Sequence, residues 1–171
     1  WERRTPLIPE HVRELVAEQK LECVVQSSER RVYSDDEYRR AGLRVVDALD
    51  ECPVIVGLKE IPLEVLQPDK VYVFFSHTIK KQPHNQKLMH ALMKQQIEMI
   101  DYETLTDKNH NRIIGFGRYA GVVGAYNGIL GYGLKYDLFR LKPAHKCRDR
   151  AEMEEELKRV KLPNIKIALT G

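Results

Sequence analysis

Two apolar runs, "VIVGL" at 54–58 and "VYVFF" at 71–75, constrain the fold more than any other feature of the chain. Neither run alternates polar with apolar residues, as a strand with one wet face would. Near-continuous apolar runs of this length mark strands that helices cover on both faces of a sheet. The segment between them, "KEIPLEVLQPDK", supplies a short helical turn and then a break at Pro68-Asp69.

Helices and strands alternate around these runs. Residues 5–21 read as a helix, with Pro9 in its first turn and Val12, Leu15 and Val16 on one face. A short strand at 23–26 follows, then a short helix that Ser34 caps and Gly42 ends. Residues 85–96 are helical, with Leu88 over Leu92 and Met89 over Met93 as core pairs one turn apart. Beyond it "IEMIDYETL" reads as a strand and "TDKNHNR" as a hairpin-like turn. Residues 119–141 form a long helix, 151–160 a charged surface helix, and 165–169 an apolar strand. This order predicts an α/β, three-layer fold with a mostly parallel sheet, Rossmann-like or flavodoxin-like.

Composition narrows the class of function. At 171 residues the chain is the size of one ordinary domain. Lys and Arg number 28 against 25 Asp and Glu, a net of +3 with the signs interspersed, so nothing asks for nucleic acid. The apolar runs fall far short of the roughly 20 residues of a membrane-spanning helix. Cys23, Cys52 and Cys147 are widely spaced with no C-x-x-C pair, which points to free thiols in a reducing compartment and to no disulfide or metal framework. Cytoplasm, or alternatively the mitochondrial matrix, fits that usage. The ends, at Trp1 and "KIALTG", both look cut.

The stretch "IIGFGRYAGVVGAYNGILGYG" opens with a hexamer, Gly115 to Ala120, that fits the dinucleotide fingerprint G-x-G-x-x-G/A after a short β-type run. The fingerprint needs an acidic residue at the end of the next strand. The next acidic residue here is Asp137, which continues a helix. Gly117, Gly121, Gly124, Gly128 and Gly131 recur at intervals of three and four, one stripe along a helix, and predict close packing against another backbone. "IKIALTG" is the better nucleotide-site candidate, a buried strand running into Gly171 as a first strand and its turn would.

In open parallel sheets ligands sit outside the carboxyl ends of the strands. Two strand ends here turn polar at once: "VIVGLKE" delivers Lys59 and Glu60, and "VYVFFSHTIKK" delivers Ser76, His77, Thr78 and Lys80. If the strands are parallel neighbours, Lys59 and His77 face one crevice and suit proton transfer in a carbonyl and amine reaction. "WERRTPLIP" places two Arg and a Glu before a Pro-led helix, a natural carboxylate-binding group.

At these residues a resemblance emerges. "WERRTPLIPEHV", "GLKE", "FFSHTIKKQ", "MIDYETLTD" and "RIIGFGRYAGVVGA", in this order, resemble the amino-terminal substrate domain of the lysine-ketoglutarate reductase and saccharopine dehydrogenase (lysine-forming) group. That group lies within the alanine dehydrogenase and transhydrogenase family. The resemblance implies a substrate domain at 1–118, an interdomain helix at 119–141, a surface helix and linker at 142–164, and the start of a cofactor domain at 165–171. NAD or NADP would be bound mainly by that further domain, so this fragment alone would not transfer hydride, and the Gly115 hexamer would be a decoy.

The resemblance also implies roles. Lys59 and His77 match the family's acid and base pair, Arg4 matches its substrate-carboxylate Arg, and Arg112 matches a second anion-binding Arg on the substrate side. Glu2, Glu60, Lys80 and Glu103 would be charges that tune the pair. The implied partners are saccharopine, lysine and 2-oxoglutarate; a homo-oligomer is left open, and neither nucleic acid nor membrane is expected. An alanine dehydrogenase-type enzyme acting on pyruvate and ammonia, or a ligand-binding α/β domain without chemistry, are the alternatives.

Overall fold

The computed structural model describes residues 2–168. They form two compact units divided between Gly115 and Phe116. The first runs α1 (Pro9–Gln19), β1 (Val24–Gln26), α2 (Asp35–Arg40), β2 (Arg44–Val46), β3 (Val54–Val56), β4 (Val71–Phe74), α3 (Gln86–Lys94) and β5 (Glu98–Asp101). The second contains α4 (Gly117–Lys135) and α5 (Arg150–Lys158). Every strand pairing between these elements is parallel, so the α/β expectation of a parallel sheet with helical connections holds. The strands divide into a two-stranded sheet, β1-β2, and a three-stranded sheet in the order β3-β4-β5.

Local chemistry accounts for the helix limits. Pro9 sits at the start of α1, where its missing N–H costs nothing. Ser34 and Glu37 form a capping box on α2: the Glu37 N–H donates to Ser34 Oγ at 3.3 Å and the Ser34 N–H to Glu37 Oε2 at 2.8 Å. Gly42 then takes φ +84°, a backbone that strains any side chain and that stops the helix.

Residues at one register of the three-stranded sheet share a face. Ile55, Tyr72 and Met99 are partners across the strands, and they pack with Phe74, Leu66, Leu88 and Leu92 in one core. Helix α3 therefore supplies the cover on that face. Val56, Val73 and Ile100 are partners on the opposite face, where Val54 and Val56 remain 49% and 44% exposed. The run at 54–58 is thus covered on one side only among the described residues. Of the two pairs in α3, Leu88 and Leu92 are buried and Met89 packs against the same core, but Met93 is 72% exposed, so only one member of the Met pair meets the core. The position of Met93 in α3 lies off the stripe that meets the sheet.

A second core in this unit joins Val12, Tyr38 and Leu43. The Tyr38 hydroxyl donates to the Leu7 carbonyl at 2.7 Å, and the Val32 N–H donates to the Arg3 carbonyl at 2.8 Å. These bonds tie the amino-terminal segment, with Glu2 and Arg4, to the unit.

In the second unit α4 ends earlier than the expected residue 141. Asp137 takes φ +50°, the Leu138 N–H donates back to the Gly133 carbonyl at 3.0 Å, and Phe139 folds over the helix end. Tyr126, Leu141, Cys147 and Met153 form its core, and the Tyr126 hydroxyl donates to the Lys142 carbonyl at 2.6 Å. Burial is the main cause that pushes the Cys147 thiol above its ordinary pKa, which keeps it protonated and unreactive near neutrality.

Two glycine expectations are revised here. A Cβ placed on Gly117, Gly121, Gly124, Gly128 or Gly131 would meet no atom within 4 Å, so the stripe is an open surface among the described residues. The close approach occurs instead at Gly133, where a Cβ would lie 2.7 Å from the Phe139 carbonyl oxygen. Residues 165–168 take no strand pairing among the described residues, and Leu169 to Gly171 lie outside them. Of the β-type run before Gly115, only Arg112 pairs, in an isolated antiparallel bridge with Thr106.

Gly133→Ala should therefore destabilise the second unit. Helix propensity alone favours Ala by about 1 kcal/mol, but the backbone clash costs roughly 1–3 kcal/mol. A lowered thermal midpoint for Gly133→Ala, beside an unchanged or raised one for Gly121→Ala, checks the contrast.

Candidate active site

Pairing continues beyond the strands. The Gly57 N–H donates to the Val73 carbonyl at 2.8 Å, the Phe75 N–H to the Leu58 carbonyl at 3.1 Å, and the Tyr102 N–H to the Phe74 carbonyl at 3.2 Å. Because the strands are parallel, their three exits lie side by side at the carboxyl end of the sheet. Lys59 follows the first exit, His77 the second and Glu103 the third.

The side chains meet there. Lys59 Nζ lies 3.3 Å from His77 Nε2, and His77 Nδ1 lies 3.0 Å from Glu103 Oε2. The Glu103 side chain is 5% exposed, and its other oxygen, Oε1, has Arg112 Nη2 at 3.5 Å and Lys80 Nζ at 3.7 Å. A buried carboxylate loses much of its hydration, and three proton-bearing partners offset the loss. The carboxylate accepts at Nδ1, so the His77 proton belongs on that nitrogen, which leaves the Nε2 lone pair facing the Lys59 ammonium.

His77 itself holds φ +56° and ψ +10°, the left-handed region, on the turn between β4 and the short helix Thr78–Lys80. A residue with a side chain pays on the order of 1–2 kcal/mol there, and such strain collects at functional sites. The Phe75 ring stacks alongside the imidazole, with centroids 6.4 Å apart.

The sequence-predicted residues thus separate into groups. Lys59, His77, Lys80, Glu103 and Arg112 converge. Glu2 and Arg4 pair with each other in the amino-terminal segment, Arg4 Nε and Nη2 forking onto the two carboxylate oxygens at 2.8 and 2.6 Å. Glu60 is exposed and has no ion-pair partner among the described residues, and Gly171 lies outside them. No cluster of His, Cys, Asp and Glu among the described residues could hold a metal ion. Among the described residues, no helix is long and apolar enough to cross a membrane.

Sequence reasoning missed Asp101, which ends β5 and bonds beneath this group. An acidic residue at the carboxyl end of an apolar strand was the available signal.

The short parallel strands with helical crossovers, and the polar groups gathered at their carboxyl ends, define a Rossmann-like α/β fold. A solved L-alanine dehydrogenase shares it, with a TM-score of 0.52 and 24% identity over 61% of this chain and 30% of that one. The chain belongs to the family described as "Alanine dehydrogenase/PNT, N-terminal domain", which matches residues 1–123. It is 42% identical over 135 residues to the mitochondrial alpha-aminoadipic semialdehyde synthase of Mus musculus, covering 79% of this chain and 14% of that protein. The Arabidopsis thaliana synthase is 36% identical over 138 residues, 78% of this chain and 13% of that protein. The saccharopine dehydrogenase [NAD(+), L-lysine-forming] of Candida glabrata is 31% identical over 140 residues, 78% of this chain and 37% of that protein. The chain therefore spans about one seventh of the synthases it matches. The resemblance read from the sequence blocks is borne out.

The contact with Arg4 holds the Glu2 carboxyl at about 2, below its ordinary 4.5, and raises the Arg4 guanidinium in return. A depressed carboxyl adds stability above its ordinary pKa and loses it as pH falls through the folded value. Carbon NMR of the Glu2 carboxyl should accordingly give a midpoint near 2, and Arg4→Gln should return it toward 4.5.

Proposed function

We propose that the chain is the substrate-side domain of an NAD(P)-dependent oxidoreductase that interconverts saccharopine with lysine and 2-oxoglutarate. The observation that carries this reading is the chain of contacts Lys59–His77–Glu103 at the carboxyl end of the sheet. The names of the relatives support it, since one is a lysine-forming saccharopine dehydrogenase.

In this reading the reacting centre lies at Lys59 and His77. Condensation of the lysine side-chain amine with the keto carbon of 2-oxoglutarate requires a neutral amine, a proton for the departing carbinolamine oxygen, and a place for the amine's protons. The His77 Nε2 lone pair accepts a proton and Lys59 Nζ donates one, while Glu103 holds the imidazole in the tautomer this needs. Saccharopine carries three carboxylates, and Arg4, Arg112 and Lys80 supply cationic groups for them on the same unit.

The nicotinamide cofactor finds no fitting site among the described residues. The Gly115 hexamer enters α4 with Phe116 as its cap, and the one pairing before it is antiparallel, so the strand-turn-helix that cradles a dinucleotide is absent there. Imine reduction therefore has no group among them. NAD or NADP belongs, in this reading, to a domain that opens at residues 165–171. The name of the mouse relative favours the mitochondrial matrix over the cytoplasm.

The full-length protein should consume reduced nicotinamide with lysine and 2-oxoglutarate together and not with ammonium and pyruvate. Lys59→Met and His77→Gln should each lower that turnover by about 10²-fold or more, the weight of a positioned acid or base. Turnover with ammonium and pyruvate alone would move the protein to the alanine dehydrogenase type, and silence with both pairs would favour a ligand-binding domain without chemistry.

A further inference from the structure

We infer that Asp101 is a positioning residue for His77, setting both the turn that presents the imidazole and the carboxylate that orients it. Its importance for turnover rests on the function proposed above; its effect on His77 does not.

Asp101 is the last residue of β5 and pairs in register with Phe74, the last residue of β4. It is 5% exposed and lies beneath the site, touching none of the groups assigned to substrate. Its Oδ2 accepts a hydrogen bond from the Ser76 hydroxyl, and its Oδ1 accepts the Ser76 N–H at 3.4 Å and the Glu103 N–H at 2.8 Å. Ser76 is fully buried. Its Oγ in turn accepts the Thr78 N–H at 3.1 Å and meets Thr78 Oγ1 at 2.7 Å. Both neighbours of His77 are thereby fastened to one carboxylate, Ser76 directly and Thr78 through the Ser76 hydroxyl.

That fastening answers a specific need. His77 holds a left-handed backbone that a residue with a side chain does not adopt cheaply, so the flanking bonds must hold it there. The Glu103 N–H on Asp101 Oδ1 is a side chain-to-backbone turn two residues on, the geometry by which Asp fixes a local bend. The same bend is closed by Thr104, whose N–H and hydroxyl donate to the Asp101 carbonyl at 3.0 and 2.9 Å. One buried carboxylate thus links the strand exit carrying the imidazole to the strand exit carrying its orienting partner. The 3.0 Å contact between His77 Nδ1 and Glu103 is the consequence of that link, and with it the direction of Nε2 toward Lys59.

Two substitutions in the full-length protein separate positioning from bulk stability. Asp101→Ala removes every side-chain acceptor. Asp101→Asn keeps the shape: its Oδ1 can accept both N–H groups, and its Nδ2 can donate to Ser76 Oγ, whose hydroxyl then turns to Thr78 Oγ1. With rates normalised to folded protein by circular dichroism, Asp101→Ala should lower kcat by about 10²-fold, the effect of roughly 1 Å of misplacement, and leave KM within about threefold. Asp101→Asn should recover kcat to within about fivefold of the wild type.

A second arm needs no substrate. Carbethoxylation by diethyl pyrocarbonate, followed at each histidine by peptide mass spectrometry, should accelerate about threefold or more at His77 in Asp101→Ala, because local opening frees the ring. The reference residues His110 and His145 should not change, and Asp101→Asn should restore the slow rate.

Equal His77 reactivity in wild type and Asp101→Ala overturns the inference, as does an unchanged kcat in an active enzyme. A parallel rise at all three histidines also overturns it, by making Asp101 a general fold determinant. A wild type silent with lysine and 2-oxoglutarate overturns the proposed reaction and leaves the modification arm to decide the positioning. If Asp101→Ala does not fold, Ser76→Ala cuts the hydroxyl link alone and is read by the same two arms.

Discussion

Parallel pairing of β3, β4 and β5 sends all three chains out of the sheet at one edge, and every feature of the candidate site depends on it. Antiparallel pairing at either junction would send one of Lys59, His77 and Glu103 to the opposite end. The register is held on one face by a packed core of Tyr72, Phe74, Leu88 and Leu92. A one-residue slip would turn that core set toward solvent, so the hydrophobic pattern that stabilises the sheet also fixes which side chains leave it together.

Electrostatics then act on what the sheet has gathered. Glu103 is the most buried charge-bearing member of the group, and its two oxygens divide their partners: His77 takes one, Arg112 and Lys80 the other. A negative centre surrounded by proton-bearing groups leaves the outer side of the cluster cationic. Under the function proposed, such a surface would complement a substrate rich in carboxylates while Glu103 keeps the imidazole in a single orientation. The bidentate Glu2–Arg4 ion pair is a second, separately ordered charged group on the amino-terminal segment, tied down by the bonds of Arg3 and Leu7 to the rest of the unit.

The second unit is organised on a different principle. Its glycines contribute contact at Gly133, where the chain turns back over the end of α4, while those of the preceding stripe lie open. Intervals of three and four were a sound reason to place the stripe on one helical face, yet periodicity does not say whether anything covers that face. The same distinction explains Met93, whose spacing from Met89 resembled a core pair but whose direction around α3 leaves it in solvent.

Strand and helix types, the capping of α2 by Ser34 and its end at Gly42, and the polar strand ends with Lys59 and His77 were legible in the sequence, because each depends on neighbours a few residues away. So was the family, through blocks spread over residues 1–125, of which the family match covers 1–123. Only the tertiary structure decided which groups touch: that Glu103 rather than Glu60 backs His77, that His77 sits in a left-handed turn, and that Asp101 joins two strand exits 25 residues apart. It also decided that residues 165–168 take no strand pairing among the described residues. Propensity and pattern are local quantities. The partners of a buried carboxylate are set by the parallel register, and that register brings together residues the sequence keeps far apart.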